Sequence, residues 1–500
     1  MISSFKDPFI NELLDEQQNL TAVDRFSKKY DTNHSHFSSN VYSDLIPLSK
    51  PKKNEQYSFE IDLSACSGCK SCVSACHSLN GLDHDESWRD VGALFGTKSD
   101  QPMQQTVTSA CHHCMDPACA NGCPTLAYEK DQTTGIVHHL DDQCMGCRYC
   151  EMKCPYEAPK YNDNLGIIRK CDMCQSRLEI NEAPACVQAC PNEAIKIRIV
   201  RNEEILEETN TDEGLVPGTI TSKYTKPSSQ YINLKKDSNP RPADYGNLKQ
   251  SAPHSPLMLM LTFTQAGVGI SLIEFIKWLA NSQINQYTLL TGIALCFIGL
   301  LSSFLHLGKP SKAWKAFLGW RRSWLSREIL IFGLWSVTSL IFLFFTLSGF
   351  TNKWITISGA ISSLLGILGI YSSVMVYADT PRPSWNFKLT CLRFFSTTLG
   401  VGIAFSGWFF LAAIPMFISL SIDIIIMAGK NSNCINSGRL MRGPLKNLSV
   451  IRISTAIIAI ALLAFSTIAS AVLFFVSEIF GRSLFFRSSD EPKMPGLINS

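Results

Sequence analysis

Several things are scarce in this chain, and each scarcity removes a class of explanation. Residues 1–18 lack the basic-then-apolar layout of a secretory leader and carry no twin-arginine pair, so no export signal is expected there. Charge is nearly balanced, with 45 Lys and Arg against 42 Asp and Glu, and no basic cluster interleaves with aromatics. Nucleic acid is therefore not an expected partner. Of ten histidines, only His254 and His306 lie beyond residue 250. Cysteine is nearly absent outside one stretch, with only Cys296, Cys391 and Cys434 beyond it. Charge thins after His254, where long apolar runs take over.

That one stretch, from Cys66 to Pro191, holds sixteen of the nineteen cysteines in four groups of four. The first group is Cys66, Cys69, Cys72 and Cys76; the third repeats its spacing as Cys144, Cys147, Cys150 and Cys154, followed by Pro155. The second is Cys111, Cys114, Cys119 and Cys123, and the fourth Cys171, Cys174, Cys186 and Cys190. C-x2-C-x2-C-x3-C-P is the ligand spacing of two-cluster bacterial ferredoxins: three close thiolates grip one cubane and the fourth reaches its neighbour. Sixteen thiolates at four per cubane predict four [4Fe–4S] clusters. Structural zinc wants paired C-x2-C knuckles, which three cysteines at i, i+3 and i+6 overfill. A disulfide framework needs an oxidising compartment, for which no leader speaks. His77, His112 and His113 read as hydrogen-bond donors around the clusters rather than ligands, since the cysteines suffice.

The chain divides by composition into five parts. Residues 1–55 form a polar extension in which Ile10, Leu13, Leu14, Leu20, Val23 and Phe26 suggest short amphipathic helices on a solvated arm. Residues 56–200 form the cysteine domain, with strands expected at Tyr57–Cys66 and Gly135–Leu140 and a long connection over 77–110. Residues 201–254 read as a linker that drapes over a neighbour rather than a folded domain, solvated because Glu203, Glu204, Glu207 and Glu208 would repel along a helix face. Residues 255–482 carry apolar runs near 257–279, 286–306, 329–350, 354–377, 392–412, 414–428 and 453–480, followed by a tail over 483–500. Most runs approach the roughly 20 residues that span a bilayer. Seven spans are expected, or eight if the long last run holds two, with a tight hairpin at Ala413-Ile414-Pro415. The predicted fold is an α+β ferredoxin-like repeated cluster domain followed by an all-α polytopic membrane bundle.

The cysteine groups resemble a known family. ACHHCMDPACANGCP, CMGCRYCEMKCPYEAPKY and KCDMCQSRLEINEAPACVQACP look like the four-cluster electron-transfer subunit of dimethyl sulfoxide reductase. Related nitrate reductases carry Trp at the second position of group three, giving a three-iron cluster, whereas Cys147 here implies four cubanes. The family's nested pairing implies that Cys66, Cys69, Cys72 and Cys190 hold one cluster, and Cys76, Cys171, Cys174 and Cys186 the next. It assigns Cys111, Cys114, Cys119 and Cys154 to a third, and Cys123, Cys144, Cys147 and Cys150 to the fourth. The membrane half resembles the same family's anchor subunit through LHLGKPSKAW, SWLSREI, VYADTPRPSW and EIFGR. Two usually separate chains are here joined.

Basic residues cluster before the first run and after the second, fourth and sixth, which puts these loops on the cluster-domain side. By the positive-inside rule that side is cytoplasmic. His306, ending the second run, then lies beneath the clusters. A membrane b-haem needs a facing histidine pair within the bilayer, so no haem is expected. The resemblance implies quinol chemistry at His306 and at Glu328 of SREI. The implied function is a membrane component that oxidises quinol and passes electrons to a separate molybdopterin catalytic subunit, itself non-catalytic for the terminal substrate. Its surroundings are membrane lipid and quinone of the cytoplasmic membrane. The same wire run in reverse for a dehydrogenase, and a non-enzymatic redox sensor, are the alternatives.

Overall fold

The computed structural model describes residues 44–98, 101–429 and 434–496. The helices expected over residues 10–26 fall outside them. Strand β1 (Glu55–Asp62) turns Phe59 and Ile61 into the core. It pairs antiparallel with β8 (Ile195–Arg201) and parallel with β9 (Gln230–Ile232), so the start and end of the cysteine region close on one sheet. Two small hairpins, β4 (Tyr128–Lys130) with β5 (Val137–His139) and β6 (Lys160–Asn162) with β7 (Ile167–Arg169), brace the middle groups. One-to-three-turn helices lie among the cysteines: α1 (Ser71–Asn80), α2 (Ala118–Gly122), α3 (Tyr149–Lys153), α4 (Gln175–Leu178) and α5 (Ala185–Gln188).

Two stretches differ from the sequence reading. The connection over 77–110 contains a hairpin, β2 (Asp90–Lys98) with β3 (Gln101–Ser109), whose short alternation at Thr106-Val107-Thr108 is its main local signal. Residues 201–254 lie along the cluster domain but carry more regular structure than a solvated stretch. Helix α6 (Asn202–Thr209) exposes Glu203, Glu207 and Glu208 but buries Ile205 and Thr209; β9 and β10 (Arg241–Pro242) each extend a sheet of the cluster domain. The acids occupy the solvated face, and one buried isoleucine suffices to dock the helix. The tail also returns: Ala93 N–H donates to Gly496 O at 3.3 Å, and Lys493 pairs with Asp244 at 2.5 Å.

The anchor is a helical bundle. It comprises α7 (Ser255–Asn281), α8 (Gln286–Phe304), α9 (Trp324–Leu347), α10 (Asn352–Ala378), α11 (Phe387–Phe405) and α12 (Phe409–Met427). A short α13 (Ile435–Arg442) precedes α14 (Lys446–Leu462) and α15 (Thr467–Arg487). Among the described residues six helices are individually long and apolar enough to cross a membrane, and a seventh crossing is reached if α13 and α14, bent by 88°, form one span. The last apolar run is not one helix. It breaks after Leu462, and Ser466 caps the next helix by accepting from Ala469 N–H at 3.3 Å. The expected hairpin at Ala413-Ile414-Pro415 is also displaced: the chain turns at Gly407 (φ 85°), and Pro415 sits inside α12. Glycine reaches that backbone region without a Cβ penalty, whereas neighbouring helices can satisfy the carbonyl freed by a membrane proline.

Inside the bundle, ion pairs hold α11, α12, α14 and α15 together. Arg452 reaches Asp423 at 3.1 Å, Glu478 at 2.6 Å and Ser477 at 2.6 Å, while Arg393 pairs with Asp423 at 2.5 Å. All four charged groups are buried. Removing one partner leaves an uncompensated buried charge. Arg452→Leu is therefore expected to lower stability by about 3–5 kcal/mol. A thermal scan of the detergent-solubilised protein checks this; an unshifted midpoint would mean the network contributes nothing.

Candidate functional site

Each cysteine loop is bent by residues in the left-handed region: Gly68 and Lys70 in the first, His113 in the second, Gly146 and Arg148 in the third, Met173 and Cys174 in the fourth. Such turns aim backbone N–H groups at an enclosed anion. Gly146 N–H donates to Cys144 Sγ at 3.4 Å and Met173 N–H to Cys171 Sγ at 3.3 Å. The proline-followed cysteines accept from four residues on: Ala127 N–H to Cys123 at 3.2 Å, Ala194 N–H to Cys190 at 3.3 Å.

The fold brings the sixteen cysteines together in fours, each four taking three from one group and one from another. Cys66 faces Cys69, Cys72 and Cys190. Cys76 faces Cys186, and Cys174 faces both; Cys171 faces Cys76 and Cys174. Cys111, Cys114, Cys119 and Cys154 line one cavity, and Cys123, Cys144, Cys147 and Cys150 line another. Among the described residues no three His, Cys, Asp or Glu side chains converge closely enough for a single ion. Four sulfurs around one shared space match the ligand number of a [4Fe–4S] cubane.

Other groups around the cysteines escaped the sequence reading, because residues far apart in the chain bring them there. Lys170 is buried, donates to the Cys171 carbonyl at 2.8 Å and to the Val137 carbonyl, and lies near Cys111 and Cys119. The buried Tyr128 hydroxyl lies against Cys150. His139 lies between Asp141, at 2.8 Å, and Cys144; burial opposes its protonation, but those two acceptors raise its pKa overall. The histidines singled out from sequence contact other groups. His77 is 3.1 Å from the Asp83 carbonyl, and His113 Nδ1 accepts from Val137 N–H at 3.1 Å. His112 packs edge-on against Tyr156; burial, then the Arg89 charge, pushes its pKa down to about 3, so it stays neutral.

The cluster domain sits on the anchor through backbone contacts. Gly308 N–H donates to Gly146 O at 3.3 Å, Lys309 N–H to Met145 O at 3.0 Å, and Gly319 N–H to Pro124 O at 2.8 Å. A Cβ on Gly146 would stand 2.3 Å from Gly166 O and 3.0 Å from Gly308, so only glycine permits this approach. The Tyr149 hydroxyl donates to Val376 O at 2.7 Å, and Lys153 donates to Asp379 at 2.6 Å.

At that junction lies a largely apolar cavity of about 540 Å³, lined by Cys147 and Tyr149 from the cluster domain and by His306, Glu328, Phe332 and Tyr377 from the anchor. Both quinol residues named from the sequence thus share one wall with Cys147. Glu328 is buried on α9 and takes a hydrogen bond from the Ser373 hydroxyl. The His306 ring lies within hydrogen-bonding reach of the Cys147 backbone, and among the described residues its buried Nε2 has no partner. Burial, then Arg148, pushes its pKa down to about 4, so the imidazole is neutral at pH 7. His254, which the sequence reading left before the first span, packs edge-on against His306 with ring centroids 5.5 Å apart. Phe304, Trp314 and Phe317 line the cavity from positions exposed on the bundle surface, which gives an apolar opening toward lipid.

A ferredoxin-like cysteine domain seated on a polytopic helix bundle defines a membrane-anchored iron–sulfur electron-transfer protein. Residues 103–199 match the 4Fe-4S dicluster domain, and residues 248–425 match the DMSO reductase anchor subunit. The "Probable anaerobic dimethyl sulfoxide reductase chain YnfG" of Escherichia coli is 37% identical over 195 residues, 37% of this chain and 92% of that protein. An anaerobic dimethyl sulfoxide reductase chain of Haemophilus influenzae is 34% identical over 199 residues, 37% of this chain and 95% of that protein. The Hydrogenase-2 operon protein HybA of E. coli O157:H7 is 33% identical over 184 residues, 32% of this chain and 56% of that protein. The chain belongs to the dimethyl sulfoxide reductase iron–sulfur electron-transfer family, with the iron–sulfur and anchor parts fused in one polypeptide.

Proposed function

We propose that the chain oxidises quinol at the His306 cavity and passes its electrons through four [4Fe–4S] clusters to a separate molybdopterin catalytic subunit. The observation that carries this reading is the single cavity shared by His306, Glu328 and Cys147. Its volume, about 540 Å³, lies in the range of small-molecule sites, and its apolar mouth suits a prenyl tail. Quinol oxidation releases two electrons and two protons. The neutral His306 Nε2 can accept one proton from a ring hydroxyl, and Glu328, when ionised, offers a second acceptor on the same wall. Ser373 fixes the Glu328 carboxylate, and the Cys147 backbone fixes the His306 ring.

The four cysteine sets would hold the clusters, which supply one-electron transfer in series: Cys66, Cys69, Cys72 and Cys190; Cys76, Cys171, Cys174 and Cys186; Cys111, Cys114, Cys119 and Cys154; and Cys123, Cys144, Cys147 and Cys150. The last set borders the quinol cavity through Cys147, and the first includes the exposed Cys69, suiting it to face a partner protein. Residues 56–200 are then the cluster domain, 201–254 its wrapping and 255–482 the anchor. We assign the cluster domain to the cytoplasmic side of the cytoplasmic membrane, because the basic loop at 305–323 packs beneath it. Haem has no part in this reading: the only two histidines beyond residue 250 pack directly on each other, leaving no macrocycle's width between them.

Anaerobic reduction of purified membranes by a menaquinol analogue, followed by electron paramagnetic resonance, tests the proposal. Interacting [4Fe–4S] signals should appear with quinol as they do with dithionite. Glu328→Gln should slow quinol-driven reduction by about 10²-fold while leaving dithionite reduction unchanged; equal rates would remove Glu328 from the site. The likeness to a hydrogenase-2 operon protein favours a second reading, electron delivery from a dehydrogenase to quinone. Clusters too low in potential to accept electrons from menaquinol would select it.

A further inference from the structure

Arg89 immediately precedes β2 and is 1% exposed. A buried guanidinium is costly unless a counter-charge compensates it, and among the described residues Arg89 pairs with no carboxylate. Its acidic near-neighbour in sequence, Glu86, is committed to Arg169 at 3.1 Å, Trp88 at 2.7 Å and Asn162 at 2.8 Å. The negative groups nearest the Arg89 charge are thiols: Cys186, Cys72, Cys171 and Cys76. These belong to two different sets. Nη1 donates to Thr108 Oγ1 at 3.2 Å, and that hydroxyl lies 3.6 Å from Cys72 Sγ. The guanidinium is also within hydrogen-bonding reach of Cys186. Its face covers the Phe59 ring at 4.7 Å, and Nη2 is buried without a partner. Phe59 and Thr108 thus fix a charge that arginine cannot lose by deprotonation.

We propose that Arg89 is a positioning residue of the electron path: a permanent buried cation shared by the first and second cysteine sets that raises the reduction potential of both. A reduced cluster carries one more negative charge than an oxidised one, so a fixed cation beside it favours reduction, the more so in a low-dielectric interior. One charge serving two sets couples them, because reduction of either partly neutralises the field felt by the other. This inference rests on the reading that the four sets hold clusters.

The test is a potentiometric titration of the full-length protein in membranes, read by electron paramagnetic resonance. The signals belonging to the two sets are identified by their loss in Cys190→Ala and Cys186→Ala. Wild-type iron content and signals come first: absence of the cubanes would defeat the underlying reading, not this inference. Arg89→Gln should shift the reduction equilibrium of both signals at least tenfold toward the oxidised form, about 59 mV downward for one electron. Arg89→Lys, which keeps the charge, should restore most of the shift. Assembled Arg89→Gln clusters with wild-type potentials would overturn the inference. Should Arg89→Gln fail to assemble, Thr108→Val decides, since it frees the guanidinium from Cys72 without removing charge. The second set's signal is the readout, because Thr108 itself contacts Cys72 of the first: a shift of the second set's signal supports the proposal, and an unmoved one refutes it.

Discussion

His306→Ala is expected to abolish reduction of the clusters by a menaquinol analogue while leaving their reduction by dithionite intact. The reason is positional. His306 follows the end of α8, is oriented by the Cys147 backbone, and presents a buried, unpartnered Nε2 at a cavity it shares with Glu328. A positioned general base contributes about 10²–10⁴-fold. Here the loss should lie at the upper end, because the electron cannot leave quinol without its proton. Small-molecule reductants bypass the cavity, so dithionite serves as the internal control for assembly. His306→Gln should keep the fold and some binding but not the proton acceptance. Full quinol-driven signals in either variant would move the entry point elsewhere.

The second large effect concerns which cysteines belong together. Cys150 and Cys154 are one helical turn apart, and a local reading would have both serve one cluster. In the fold they line different cavities, Cys154 with Cys111, Cys114 and Cys119, and Cys150 with Cys123, Cys144 and Cys147. Cys154→Ala and Cys119→Ala should therefore remove the same paramagnetic signal, and Cys150→Ala and Cys123→Ala a different one. Each should lower bound iron by about a quarter, the share of one cubane in four. If Cys150→Ala and Cys154→Ala extinguish a common signal instead, the nested grouping is wrong. Cys150→Ala should also impair quinol-driven reduction, because its set includes Cys147 at the cavity wall.

Much of this chain was legible in one dimension. Three thiolates within seven residues constrain what they can hold whatever surrounds them, so the cysteine groups announced cluster chemistry before any fold was known. Apolar length announced the anchor in the same way, since a bilayer sets how much uninterrupted hydrocarbon a span needs. The failures cluster where the outcome depends on a few contacts. Pro415 reads as a breaker, yet it is absorbed inside α12 while Gly407 makes the turn. The last run reads as one span or two, and Ser466 caps a second helix within it. The acidic stretch after residue 200 reads as solvated, yet Ile205 docks it.

Composition and spacing by themselves determined the class of cofactor and the presence of a membrane bundle. Those properties follow from short-range covalent spacing and from summed hydrophobicity, neither of which needs a partner residue. Only the tertiary structure decided that His254 packs on His306, that Arg89 stands between two cysteine sets, and that Cys147 shares a cavity with Glu328. These pairs lie 52, up to 97, and 181 residues apart in the chain. Their meeting depends on how sheets close and helices pack, and a linear pattern carries no record of which distant side chain will fill the space beside it.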